Sequence, residues 1–234
     1  LVEIKALSTY SKILSYYFVA LIKQEAMKKK AIIFDLDNTL YAVDSIGDKL
    51  FSALFKLFED DGSLNIELKN IKRNIMQKPF QTVAAQYSFS ETLIEKCLTH
   101  LKMITYNGNL SAFDDYKHVK KIEADKFLVT TGFTKLQQSK IKSLGIANDF
   151  KEIHIVDITN YYTTKKEVFA DIILRYNYSV DEVLVIGDDV DSEIKAAQQL
   201  GVEALLYNKK AAKEINESIK TISDFSELNM LYTF

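Results

Sequence analysis

Five short runs constrain this chain more than anything else in it: Ala31-Ile32-Ile33-Phe34, Phe127-Leu128-Val129, Ile153-His154-Ile155-Val156, Val183-Leu184-Val185-Ile186 and Ala204-Leu205-Leu206. Four of the five are wholly apolar, too short and too uninterrupted for the face of an amphipathic helix. They read as strands buried on both faces. Each of the last four precedes a helix-length segment, with helices predicted around 134–144, 164–176, 192–200 and 210–219. Strands that alternate with helices in this way form a parallel sheet covered on both sides. The run at 31–34 has no partner of its own and must join the same sheet. The stretch 46–122 is therefore an insertion.

That insertion reads as all-helical. Ile46, Leu50, Leu54 and Leu57 mark one face, and Leu64, Leu68, Ile71 and Ile75 mark a second. Ser88 and Glu91 have capping-box spacing ahead of Ile94, Cys97, Leu98 and Leu101. Gly62, Pro79 and Asn107-Gly108 punctuate the segment. The predicted organisation is a helical extension over 1–27, an α/β core built from 28–45 and 123–234, and a helical cap over 46–122. In the extension, Leu7, Tyr10, Leu14, Tyr17 and Leu21 form one stripe. Docking on its own domain is the favoured reading; a homodimer contact through this helix, or a membrane-surface contact, is the alternative. The longest uncharged stretch, Ile13 to Ile22, is about half of the ~20 residues needed to span a bilayer, so no integral membrane segment is expected. No basic leader region or small-residue cleavage site stands out, so no signal peptide is expected either.

Charge and cysteine content exclude further classes. The 30 basic and 32 acidic residues nearly cancel, which argues against nucleic acid as the main partner. Cys97 is the only cysteine, so neither an internal disulfide nor a cysteine-based zinc site forms, and a reducing, cytoplasmic location is expected.

In sheets of this type ligands bind at the carboxyl ends of the strands. Those ends carry Asp35 and Asp37; Thr130, Thr131 and Gly132; Asp157, with Lys165 and Lys166 opening the next helix; and Gly187, Asp188 and Asp189. Carboxylates packed together repel and need a cation. Oxygen donors alone suit magnesium better than zinc or copper. A hydroxyl and an ammonium group in the same ring suit a phosphoryl group. One carboxylate can attack phosphorus, and a second can protonate the leaving oxygen and then activate water.

These residues resemble the haloacid dehalogenase-like (HAD) hydrolase superfamily. The DxDxT motif reads Asp35-Leu36-Asp37-Asn38-Thr39, the second motif Phe127-Leu128-Val129-Thr130 followed by Thr131-Gly132, and the third a lysine at a helix start. The fourth reads Gly187-Asp188-Asp189-Val190-Asp191-Ser192-Glu193. The resemblance covers roughly 29–208 and implies a Rossmann-like core with a helical cap inserted between the first two motifs. It implies that Asp35 is the nucleophile and a Mg2+ ligand. Asp37 would be the general acid/base, with its carbonyl on the metal, and Asp188 a third ligand. Thr130 and Lys165 would bind the phosphoryl group beside Thr131 and Gly132, and Asp189 and Glu193 would support the metal site. An acid at position 37 favours phosphate chemistry over carbon–halogen cleavage. The third motif departs from the family: no proline follows Lys165, and Phe169 stands four residues after it, not six. Lys165 is preferred, with Lys166 as the alternative.

The expected activity is a magnesium-dependent phosphatase acting on a small-molecule phosphate ester. A phosphomutase using the same two aspartates, and a non-catalytic binding protein on the same fold, are the alternatives. Asp157 reads as a strand-end turn residue, His154 as structural, Cys97 as core, and Lys72 and Arg73 as a solvated helix face.

Overall fold

The computed structural model describes residues 28–62, 64, 67–159, 163–209 and 219–234. The predicted helix over 1–27, any dimer contact through it, and residues 210–218 of the predicted helix at 210–219 lie outside the described residues.

Among the described residues six strands form one parallel sheet: β1 (Ala31–Phe34), β2 (Asp125–Gly132), β3 (Glu152–Asp157), β4 (Val183–Gly187), β5 (Glu203–Tyr207) and β6 (Thr221–Ile222). Their order is β3-β2-β1-β4-β5-β6. Phe34 at the end of β1 stands in register with Leu128 on one side and Ile186 on the other. The chain lays β2 and β3 to one side of β1, then crosses to lay β4 and β5 on the other. This reversal opens a crevice at the carboxyl end of β1, the place where such sheets bind ligands. β2 runs on to Gly132, so Thr130, Thr131 and Gly132 are its last residues, not the loop beyond it.

Between β1 and β2 the chain is helical: α1 (Asp44–Leu50), α2 (Ser52–Asp61), α3 (Leu68–Ile75), α4 (Phe80–Gln86), α5 (Glu91–Met103) and α6 (Tyr116–Lys120). The face predicted from Ile46 to Leu57 is broken at Phe51, where the Ser52 hydroxyl donates to the Lys49 carbonyl at 3.0 Å. A serine bonded back to the chain competes with the helix ladder. Leu64 is buried but precedes α3 instead of joining it. The cap of α5 is Ser90, whose hydroxyl accepts the Leu93 N–H at 3.2 Å. Ser88, the predicted cap, has φ 51°, whereas an N-cap needs extended backbone. Cys97 is fully buried on the inner face of α5, and burial, with Asp61 nearby, pushes its thiol up to about 12.

After β2 come α7 (Thr134–Leu144), α8 (Lys165–Arg175), α9 (Lys195–Gln199) and α10 (Leu228–Leu231). Strand alternation sends Ile32, Phe34, Leu128, Leu184 and Ile186 into one core, which continues through Leu136 and Ile141 of α7 and the helices of the insertion. Ala31, Ile33, Phe127, Val129 and Val185 enter a second core under Phe169 and Ile172 of α8 and Ala197 of α9. Each fully buried large side chain contributes about 1.5–3 kcal/mol. The segment predicted as a helix at 192–200 begins instead as a π-turn, Val190–Ile194, capped by Asp189. β6 and α10 were not predicted, because two- and four-residue elements leave no periodicity to read. His154, on edge strand β3, bonds Glu152 at 2.7 Å.

At the start of β5, Glu203 accepts from Lys29 (3.0 Å), Lys220 (2.5 Å) and the Tyr232 hydroxyl (2.9 Å). Burial acts to raise its pKa, and the bonds from Lys220, Lys29 and Tyr232 outweigh burial, holding it at about 2 against an ordinary 4.5. A depressed carboxyl stabilises the fold above its unfolded pKa and loses that contribution as pH falls through its folded value. Glu203→Gln should cost about 1 kcal/mol at pH 7, after allowance for solvent screening. In chemical denaturation the gap from wild type should close as pH falls from about 4.5 to about 2. A gap independent of pH would contradict the ionic account.

Candidate active site

β1 delivers the first acid. The Asp35 N–H still donates to the Ile186 carbonyl at 2.9 Å, so sheet pairing carries Asp35 between the ends of β2 and β4. There Asp35, Asp37, Thr130, Thr131, Gly132, Lys165, Asp188, Asp189 and Glu193 line one cavity of about 160 Å3. Residues far apart in sequence are thus brought to one place by the strand order.

At its floor, the Lys165 ammonium lies 2.6 Å from Asp35 Oδ1 and also bonds Glu193 Oε1, with all three side chains buried. Lys165 is the first residue of α8, which Thr164 and Glu167 cap reciprocally. Lys166 lines a neighbouring groove with Lys195 and Gln199 instead of this cavity. Glu193 reaches inward from the π-turn, a feature frequent at functional sites. Its path runs over Gly187, where a Cβ would stand 2.5 Å from Glu193 Cγ. The Asp189 N–H (3.2 Å) and the Ser192 hydroxyl (3.0 Å) also donate to Glu193.

Burial pushes the Asp35 carboxyl well above its ordinary range, and the charges of Glu193, Asp188 and Asp37 add to the rise against the opposing pull of Lys165. Burial alone would lower the Lys165 pKa, but Asp35 and Glu193 raise it, so it stays charged. Five acids, Asp35, Asp37, Asp188, Asp189 and Glu193, line this cavity with the lysines Lys78, Lys140 and Lys165, so carboxyl groups outnumber ammonium groups along its lining. Oxygen donors with excess negative charge fit a magnesium ion. Among the described residues no group of three His, Cys, Asp or Glu side chains is arranged to hold a metal ion by itself.

Asp37 is gripped from three sides. Lys140 donates to both its oxygens (2.8 and 2.9 Å), the Tyr41 hydroxyl to Oδ1 (2.5 Å) and the Gln137 amide to Oδ2 (2.9 Å). Burial acts to raise the Asp37 pKa; the Lys140 charge and these bonds overcome it and hold the pKa below the ordinary value. Asn38 makes the intervening turn at φ 58°, accepting from the Val43 N–H (3.1 Å) and donating to the Met76 carbonyl (3.2 Å). Its Met76 bond ties the strand-end loop to the end of α3. Tyr41, Gln137 and Lys140 were not singled out in the sequence. The signal for the last two was faint: polar residues three apart on a helix that also buries Leu136 and Ile141.

The helical insertion adds Phe51, Leu54, Ile75, Phe80 and Leu101 to the lining, together with the polar Gln77 and Lys78, and Phe133 and Leu136 add further apolar surface. Asp157 does not line the cavity. It closes a turn, accepting the N–H groups of Thr134 (3.1 Å) and Thr159 (2.9 Å). Lys72 pairs with Glu59 at 2.6 Å on an exposed face, while Arg73 lines an adjoining cavity of about 320 Å3 with Asp188 and Lys209.

A family model for haloacid dehalogenase-like hydrolase matches residues 29–201. A glyceraldehyde 3-phosphate phosphatase of Methanocaldococcus jannaschii is 26% identical over 218 residues, 85% of this chain and 95% of that protein. The pyrimidine 5'-nucleotidase PynA of Streptococcus pneumoniae is 21% identical over 226 residues, 86% of this chain and 93% of that protein. YfnB of Bacillus subtilis is 27% identical over 180 residues, 76% of this chain and 74% of that protein. Its magnesium-bound crystal structure superposes with a TM-score of 0.61, covering 87% of this chain and 99% of that one, at 20% identity. With the family model covering most of its length and the same fold found in solved relatives, this chain belongs to the haloacid dehalogenase-like hydrolases.

Proposed function

We propose that this protein is a magnesium-dependent phosphatase that hydrolyses a small phosphorylated metabolite through an aspartyl-phosphate on Asp35. The observation that carries the reading is the buried Asp35–Lys165 pair at 2.6 Å, set at the carboxyl end of the central strand in a cavity shared with Asp37, Thr130 and Asp188. Relatives named as a glyceraldehyde 3-phosphate phosphatase and a pyrimidine 5'-nucleotidase, and a magnesium-bound structural neighbour, support it.

Asp35, Asp188 and the Asp37 main-chain carbonyl would hold the ion, which screens the repulsion between Asp35 and an anionic substrate. An Asp35 oxygen attacks phosphorus and the bond from phosphorus to the alcohol oxygen breaks. Asp37 gives its proton to that oxygen. An arriving phosphoryl anion favours the protonated form of Asp37 by charge repulsion. Asp37, now a carboxylate, takes a proton from the water that attacks the aspartyl-phosphate, and phosphate and Asp35 are released. Thr130 Oγ1 accepts from the Gln137 amide at 2.6 Å, which leaves its own proton to be donated to a phosphoryl oxygen. Lys165 neutralises charge on the transferring group. Residues 28–45 with 123–234 form the catalytic core in this reading. Residues 46–122 form a cap whose side chains meet the leaving group and exclude water.

A phosphate-release screen over nucleotides, sugar phosphates and organic-acid phosphates should show turnover with magnesium and none after chelation. Absence of turnover across the panel would overturn the reading. Asp35→Asn should abolish turnover with the melting temperature nearly unchanged; full activity there would refute the nucleophile assignment. Asp37→Asn should slow turnover by about 10²–10⁴-fold. Gly187→Ala places a Cβ against Glu193 and displaces Lys165 with it. A shift on the order of 1 Å at reacting groups costs about 10²-fold, so a steady-state assay should show a loss of that order.

A further inference from the structure

Lys140 of α7 is almost fully buried, although the outer face of the same helix was open to it. Burying an ammonium costs several kcal/mol unless its partner and geometry are good. Its partner is Asp37, distant in sequence, met through both carboxylate oxygens at 2.8 and 2.9 Å. Gln137, one turn earlier on α7, is also buried and reaches the same carboxylate. The Gln137 amide nitrogen further lies 2.6 Å from Thr130 Oγ1 and 3.3 Å from the Thr131 carbonyl. Gly132 leaves the room for it, since a Cβ there would stand 2.9 Å from Gln137 Cδ. Each Asp37 oxygen thus meets two donors: Tyr41 and Lys140 on Oδ1, Lys140 and Gln137 on Oδ2. A carboxylate held in this way is confined to one rotamer, and the helix that confines it also touches the Thr130 hydroxyl.

We propose that Gln137 and Lys140 are positioning residues of the reaction: α7 holds the Asp37 carboxyl in the orientation from which it protonates the departing oxygen. The inference rests on the phosphatase reading above. It assigns neither residue to the phosphoryl group itself. Removing Lys140 should therefore weaken proton delivery and spare attack by Asp35.

Leaving-group chemistry separates these effects. The alkoxide leaving from an alkyl phosphate needs a proton, whereas p-nitrophenolate departs as a stable anion and does not. The ratio kcat/KM reports the steps up to the aspartyl-phosphate. It should be measured with magnesium for wild type and Lys140→Met on p-nitrophenyl phosphate and on the best alkyl phosphate of the screen, alongside melting temperatures. Expected is a loss of about 10²-fold on the alkyl ester, the low end for a lost proton transfer, and less than about 3-fold on p-nitrophenyl phosphate. Equal losses on the two substrates, from a damaged fold or a lost phosphate contact, would overturn the inference, as would no loss on either. Gln137→Met supplies the same comparison if Lys140→Met does not fold. A wild type inactive on both substrates would overturn the phosphatase reading, and this inference with it.

Discussion

A single ammonium group holds the centre of this molecule together. Lys165 sits buried between Asp35 and Glu193, at the point where the strand order reverses beside β1. Two buried carboxylates without a cation repel and cost desolvation energy besides. Around this pair the fold makes specific concessions. Gly187 forgoes a side chain so that Glu193 can pass, the chain at Val190–Ile194 takes a π-turn, and α8 is capped on both sides of its first turn to fix where Lys165 begins. Removing the Lys165 charge would leave Asp35 and Glu193 uncompensated, a loss of about 3–5 kcal/mol by analogy with broken buried pairs.

Much of the sheet was legible in the sequence because its strands are short apolar runs with polar ends, and burial on both faces leaves little else such a run can be. The acids of β1 and β4 stood out for the same reason, as charges directly abutting apolar segments. Thr130 was visible at the end of Phe127-Leu128-Val129, although the strand extends past it to Gly132. The preference for Lys165 over Lys166 rested on motif position alone, since both residues open the same helix. Burial separates them: Lys165 is enclosed against Asp35, and Lys166 lies outside the cavity.

What the sequence hid has physical reasons. Gln137 and Lys140 are common residue types on a helix, and nothing local marks them as partners of an acid in a distant strand-end loop. Their role emerges only when α7 is laid on the sheet. Ser88 and Ser90 both precede α5, and only the left-handed backbone at Ser88 gives the cap to Ser90. The break at Phe51 has no proline or glycine to announce it. The resemblance gave Glu193 a supporting place beside the metal, but nothing in the sequence marks its contact with Lys165, which the π-turn makes.

Turnover by this route requires covalent chemistry at one Asp35 oxygen. An aspartyl-phosphate is reduced by borohydride to homoserine, which peptide mass spectrometry locates by position. Enzyme quenched during turnover and reduced should carry homoserine at position 35, and enzyme without substrate should carry aspartate there. Homoserine at another position, or none from an enzyme that is visibly releasing phosphate, would contradict the account.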